Sequence, residues 1–177
     1  MKENVYLIGG RAVGKSSIGA ELAQRQGCKF FDTDTMVTDA CGCSVADIVG
    51  CEGWKAFRDY EKRALRKLIT QECCVVATGG GAILHRELWL ELKQHGLVIW
   101  LMADPPVLCK RIEGDHHSVM QRPSLTGKNI YQELEDVLKE RNPLYRETAD
   151  YTIDTGKMTI DDAVREITQI CTATDRE

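Results

Sequence analysis

The chain has 177 residues and a mass of 19.9 kDa, enough for one core burying roughly 70% of the unfolded chain's surface and too little for two. With 43% hydrophobic and 28% charged residues, the composition argues against disorder, collagen-like repeats and a disulfide-stapled miniprotein. Its 23 basic residues against 27 acidic leave a net charge of −4, so no global positive field draws in nucleic acid or an anionic membrane, and any anion site must be local.

The longest strongly apolar stretch without turn residues, Leu97 to Ala103, falls far short of the ~20 residues of a membrane-spanning helix. The apolar run before Gly9–Gly10 is too short for a secretory signal, so a cytosolic setting is expected. Eight cysteines at 28, 41, 43, 51, 73, 74, 109 and 171 include no C-x-x-C pair and have no histidine at ligand spacing; buried or idle thiols are expected, with Cys41 and Cys43 the one weak metal candidate.

In chain order, the apolar run Val5 to Ile8 reads as a strand. It leads into Gly9-Gly10-Arg11-Ala12-Val13-Gly14-Lys15-Ser16, which matches G-x-x-x-x-G-K-[ST] and precedes a helix with Ile18, Leu22 and Ala23 on one side. In that context backbone N–H groups and the helix N-terminus face a polyphosphate, the lysine neutralises β/γ oxygens and the serine hydroxyl ligates Mg²⁺. Lys29 to Phe31 is a weaker strand. Asp32 and Asp34 follow at its carboxyl end, where parallel sheets place ligands. Asp32 is placed near the metal, and Asp34 on an acceptor hydroxyl whose proton it could take; an Asx turn capping the next helix is the plainer alternative.

Asp32 to about Gln71 carries extra helices, a candidate substrate-binding lobe. Ser44-Val45-Ala46-Asp47 is a capping-box start, and a long helix is predicted from near Glu52. Trp54, Phe57, Ala64 and Leu68 form its apolar stripe, on which Glu61 also falls. A carboxylate there needs a partner, and Arg58 lies one turn away, so Glu61 could hold that guanidinium aimed at the cleft.

Cys74 to Ala77 is the next strand, followed by Thr78-Gly79-Gly80-Gly81, bare backbone that a ligand could approach closely. Leu97 to Met102 and Tyr151 to Ile153 complete the set. Strands alternating with helical segments imply a parallel sheet with helices on both faces, a three-layer α/β domain spanning 1–177 without an internal boundary. Lys110 and Arg111 are candidates for the adenine or its ribose.

Glu113 to Asn129 is polar and aperiodic, and reads as a mobile flap whose Arg122 and Lys128 could reach the transferring phosphate; its His116–His117 pair reads as solvated. Beyond it, Ile130, Leu134 and Val137 set another apolar stripe on which Arg141 falls. Two such arginines from different helices could grip one small carboxylate, although Arg141 could instead cap a helix end before Pro143.

With Asp32-Thr33-Asp34, Phe57-Arg58-Asp59-Tyr60-Glu61, Gly79-Gly80-Gly81, Arg122-Pro123 and Arg141 in order behind the phosphate loop, the chain resembles the shikimate kinase family over nearly its whole length. The runs Arg122 to Lys128 and Leu138 to Glu147 look most like the type II bacterial enzyme. The resemblance implies an ATP- and Mg²⁺-dependent kinase of aromatic amino-acid biosynthesis on a nucleoside-monophosphate-kinase-like P-loop fold with five parallel strands, acting as a monomer on the small molecule shikimate, with no nucleic acid or membrane partner. It implies nucleotide contacts at Ala12, Val13, Gly14, Lys15, Ser16, Ser17, Arg111 and Arg122, and metal contacts at Ser16 and Asp32. Substrate contacts fall on Asp34, Arg58, Gly79, Gly80, Gly81 and Arg141, and catalysis on Lys15, Asp34 and Arg122. Ala12 stands where many members have glycine, and Ser124 where leucine is frequent. The rival readings are a gluconate or nucleoside-monophosphate kinase on the same fold, and a catalytically silent nucleotide-binding module.

Overall fold

A computed structural model describes residues 3–114 and 129–174. The five apolar runs form one parallel sheet in the order β2-β3-β1-β4-β5. Its strands are β1 (Asn4–Ile8), β2 (Lys29–Asp32), β3 (Cys74–Ala77), β4 (Gly96–Met102) and β5 (Tyr151–Asp154). The helices are α1 (Lys15–Gln26), α2 (Thr33–Cys41), α3 (Val45–Leu68), α4 (Arg86–Leu92), α5 (Pro105–Gly114), α6 (Ile130–Thr148) and α7 (Ile160–Thr174), with single 3₁₀ turns at Ala82–Leu84 and Thr155–Lys157.

Every residue of β1 and β3 is buried, as expected for strands covered on both sides. Side chains alternate between the faces. Val5 and Leu7 join Ile99, Leu101 and residues of α1 and α7 in one core, whereas Tyr6 and Ile8 join Val98, Trp100 and residues of α3 and α4 in the other. A third, smaller core of Val37, Val45, Ile48, Phe57 and Ala64 holds α2 against α3 and makes the lobe beside the sheet. The three-layer α/β arrangement expected from the alternation is what the chain adopts, and all strand carboxyl ends share one edge.

In the lobe, the helix predicted from near Glu52 is continuous with a shorter stretch before it. It is the second half of α3: a first stretch begins at Val45 behind the Ser44 capping box, in which the Asp47 N–H donates to Ser44 Oγ at 3.1 Å and the Ser44 N–H donates to Asp47 Oδ2 at 3.2 Å, and the two run together across Gly53. The helix bends at Gly53, whose φ of 81° and ψ of 171° are not helical. A residue without Cβ reaches that φ at little cost, so the bend sits there and turns the Arg58–Glu61 turn toward the sheet edge.

α6 departs from expectation. It runs through Pro143 to Thr148, so Arg141 lies inside a helix, and a role in capping a helix end before Pro143 is ruled out. Of the segment read as a flap, Glu113 and Gly114 belong to α5, and the Asn129 side chain accepts from the Tyr131 N–H at the start of α6. The remainder, with His116, His117, Arg122, Ser124 and Lys128, lies outside the described residues.

No helix among the described residues is long and apolar enough to cross a membrane. None of the eight cysteines is in a disulfide, and among the described residues no group of three or more His, Cys, Asp or Glu is placed to hold a metal ion, Cys41 and Cys43 included. Cys74, Cys109 and Cys171 are buried, Cys28 and Cys41 half-buried, and Cys43, Cys51 and Cys73 exposed.

Candidate active site

The phosphate loop joins β1 to α1 at the sheet edge where the strands end. Gly9 has φ 139°, and a Cβ there would overlap the Leu101 carbonyl of the neighbouring strand. Ala12 has φ 61°, the left-handed region that disfavours any residue with a Cβ, which accounts for the preference for glycine there. Gly14, with φ 95°, precedes α1, and no side chain caps the helix start. Its first N–H groups are therefore open to an anion, with the positive end of the helix dipole behind them.

Lys15 is buried, and its Nζ donates to the Gly9 carbonyl at 2.8 Å and the Gly10 carbonyl at 2.6 Å, holding the ammonium at the mouth of the loop. Ala12, Val13, Gly14, Lys15, Ser16 and Ser17 all line one cleft of about 490 Å³, with Asp32, Asp34 and Arg111 on its other walls. Arg111 fastens the loop to the turn after β5: it donates to the Ala12 carbonyl at 3.3 Å and to the Thr155 carbonyl at 2.6 Å. Lys110 is exposed and outside this lining.

Asp32 caps α2 with one carboxylate oxygen and sets the other on the phosphate-loop serine. Its Oδ1 accepts from the Asp34 N–H at 3.0 Å and the Thr35 N–H at 3.3 Å, capping α2, while Oδ2 accepts from Ser16 Oγ at 2.6 Å. A hydroxyl and a carboxylate oxygen side by side, beside a triphosphate-sized cleft, suit a hard divalent cation such as Mg²⁺.

The second cavity opens against the first. Asp34 and Arg11 line both; the second is walled further by Arg58, Glu61, Gly80, Gly81 and Arg141, with Val45, Trp54 and Phe57 as its apolar side. Glu61 is 1% exposed, and a buried carboxylate must be compensated. Arg58 Nη1 donates to its Oε2 at 2.8 Å, and His85 Nε2 lies 3.1 Å from the same oxygen. Oε1 is buried without a hydrogen-bond partner. The Arg58 guanidinium also lies over the Trp54 and Phe57 rings, 5.5 and 5.4 Å from their centroids, so aromatic faces and a carboxylate together fix its plane.

Arg141 enters from α6, 8% exposed, with its Nε buried and lacking a partner. One turn on, Tyr145 Oη donates to the Gly80 carbonyl at 2.5 Å while its ring stacks on Trp100 at 5.9 Å. Burial pushes the Tyr145 phenol up to about 12, partly offset by the positive charge of Arg141, so it stays protonated and keeps donating. The three glycines differ in use. The Gly79 N–H is taken by Thr33 Oγ1 at 2.8 Å, so the donor expected from it is not available to a ligand, and Gly79 lies behind the cavity wall rather than in its lining. A Cβ on Gly79 would meet Asp34 Oδ1 and Glu61 Oε1, each at 2.6 Å, and one on Gly81 would overlap the Arg58 guanidinium. The absence of side chains is thus what allows both carboxylates and the guanidinium to reach the cavity.

Residues 11–172 match the family model for shikimate kinase. The chain belongs to the shikimate kinase family. It is 47% identical to a shikimate kinase of Nitratidesulfovibrio vulgaris over 84% of this chain and 85% of that one. It is 45% identical to shikimate kinase 2 of Yersinia enterocolitica over 87% of each. Among solved structures, a shikimate kinase of Acinetobacter baumannii in complex with shikimate superposes with a TM-score of 0.90 at 34% identity, covering 99% of this chain and 96% of that one. Membership in the family makes the chain an ATP-dependent phosphotransferase, and the P-loop kinase fold read from the strand order agrees with it.

In this shikimate kinase family member the phosphate-loop residues with Asp32, Asp34 and Arg111 line one cleft, and Asp34, Arg58, Gly80, Gly81 and Arg141 line the adjoining cavity; Gly79 lies outside that lining, and Arg122 lies outside the described residues. The sequence reading missed Thr33, His85, Tyr145 and Thr155. Tyr145 was within reach: it continues the stripe of Leu134, Val137 and Arg141 by one more turn. His85 and Thr155 follow strand ends after short turns, and nothing in their local spacing ties them to α3 or to the phosphate loop.

Proposed function

We propose that this shikimate kinase family member transfers the γ-phosphoryl group of ATP to the 3-hydroxyl of shikimate, giving shikimate 3-phosphate and ADP, a step of chorismate and aromatic amino-acid synthesis. The observation that carries the reading is the pairing of two guanidinium groups, Arg58 from α3 and Arg141 from α6, on one cavity that shares Asp34 with the nucleotide cleft. Two cations from separate helices suit a small carboxylic acid, and the shared aspartate suits a hydroxyl facing the donor phosphate.

In this reading the triphosphate lies along the N–H groups of Ala12 to Ser17, with Lys15 against its oxygens and Arg111 beside the base. Arg58 and Arg141 take the shikimate carboxylate, Gly80 and Gly81 give the ring a flush floor, and Asp34 orients the acceptor hydroxyl and takes its proton. Phosphoryl transfer asks little covalent chemistry of the protein, so positioning and charge neutralisation carry the rate. Ser16 and Asp32 would hold Mg²⁺, which when bound neutralises charge developing on the phosphates. Arg122 is assigned to the same charge on the resemblance, as part of a lid over about 113–129 in one domain that includes the substrate lobe at about 32–71. Consumption of ATP suits a cytosolic enzyme, and a site assembled within one chain suits a monomer.

The test is ADP release with and without shikimate, with gluconate and nucleoside monophosphates as competing acceptors, for the wild type and Asp34→Asn. Release that depends on shikimate alone, abolished by Asp34→Asn while ATP still binds, is the expected result. Release indifferent to shikimate would remove the assignment, and near-normal turnover by the variant would remove Asp34 from the mechanism.

A further inference from the structure

His85 occupies a position whose geometry is unusual for its residue type. It sits between the Ala82–Leu84 turn and α4, where a short oxygen-bearing side chain commonly caps the helix, yet its side chain makes no cap bond. The imidazole is instead 11% exposed and turned away from α4 toward α3, with Nε2 at 3.1 Å from Glu61 Oε2. A carboxylate oxygen only accepts, so the facing Nε2 carries the hydrogen and donates it.

Glu61 Oε2 therefore has two donors, Arg58 Nη1 and His85 Nε2, while Oε1 has no partner and points to the side where Asp34 and Gly79 meet. With Arg58 as its one anchor, the carboxylate could swivel about its terminal torsion, which is soft. A second donor from another element pins it. The guanidinium that it orients is the one that the shikimate reading places on the substrate carboxylate.

We propose that His85 is a positioning residue for carboxylate recognition: by holding Glu61 Oε2 it fixes the plane of Arg58 toward the bound acid. The proposal rests on the shikimate assignment and extends it to a residue that touches neither substrate.

The experiment compares His85→Phe, His85→Gln and His85→Asn in steady-state kinetics against shikimate and against its carboxamide, with thermal melting in parallel. Phe keeps the ring without a donor. Gln carries an amide NH₂ at about the reach of Nε2, and Asn stops short. A hydrogen bond to a charged group of this kind corresponds to roughly a tenfold effect, so His85→Phe and His85→Asn should raise the shikimate KM about tenfold with kcat and the ATP KM within about twofold. His85→Gln should lie close to wild type, and the KM for the carboxamide, which has no anionic group for Arg58, should move less than about twofold in every variant. A shikimate KM unchanged in His85→Phe, His85→Asn performing as well as His85→Gln, or equal losses for acid and carboxamide would each overturn the proposal. Should His85→Phe fail to fold, the Gln and Asn pair decides. Failure of the wild type to use shikimate would instead overturn the functional reading itself.

Discussion

Substituting Gly79 by alanine tests the geometry of the acceptor site most directly. The added methyl would lie 2.6 Å from both Asp34 Oδ1 and Glu61 Oε1, and ordinary contact begins near 3.4 Å, so each carboxylate must withdraw by about 0.8 Å. Neither can do so freely. Glu61 is pinned by Arg58 at 2.8 Å and His85 at 3.1 Å, and Asp34 sits in the first turn of α2, its backbone tied to Asp32. A 1 Å misplacement of a positioning group costs on the order of 10²-fold in rate, so kcat/KM for shikimate should fall about 30- to 100-fold, ~2–3 kcal/mol of transition-state stabilisation.

Two neighbours calibrate that figure. A Cβ on Gly80 meets no protein atom nearer than the Gly9 carbonyl at 3.5 Å, so Gly80→Ala should move no side chain and raise the shikimate KM only by crowding the ring, whereas Gly81→Ala overlaps the Arg58 guanidinium and should lose most. The assay is ADP release at saturating ATP over a range of shikimate, with ATP affinity measured calorimetrically and expected to be unchanged. A Gly79→Ala enzyme whose kcat/KM for shikimate stays within about threefold of wild type would refute the reasoning, since the clash with both carboxylates follows from the packing alone.

Arg141→Gln leaves a buried polar group without the cation that the acid requires, and should weaken shikimate binding by ~2–5 kcal/mol in a calorimetric titration while ATP binding holds. Tyr145→Phe removes the donor to the Gly80 carbonyl but keeps the stack on Trp100; it should lower stability by ~1–2 kcal/mol in denaturant melts and raise the shikimate KM. Asp32→Asn keeps an oxygen to cap α2 but loses the charge beside Ser16, so the Mg²⁺ concentration giving half-maximal rate should rise several-fold with little change in melting temperature. Asp47 is held below its ordinary value of 3.8 by the Ser44 hydroxyl and then by its backbone N–H. Its contribution is therefore present above pH ~4 and lost as pH falls through the lower folded value. Ser44→Ala should cost about 2–4 °C of melting temperature at neutral pH, and that deficit should shrink in acid; a deficit constant with pH would count against the assignment.

Much of the site was legible in one dimension because each part carried its own local signature. The phosphate loop is a contiguous motif between a strand and a helix. Glu61 and Arg141 were conspicuous because a charge on an apolar helical stripe must find a partner when the stripe is buried. Asp32 illustrates the limit: spacing suggested either a helix cap or a metal-facing carboxylate, and the fold uses one oxygen to cap α2 while the other accepts from Ser16 Oγ.

The order of strands and helices, the nucleotide cradle and the presence of one carboxylate and one arginine on apolar stripes were all contained in local pattern, since hydrophobic period and turn chemistry act over a few residues. Which groups meet was decided by the tertiary structure. His85 reaches Glu61 across 24 residues of sequence, Tyr145 reaches Gly80 across 65, and Arg111 reaches Thr155 across 44. Such contacts depend on which strand lies beside which and where a helix bends, as α3 does at Gly53, and no short-range periodicity encodes the distance between two elements after they pack.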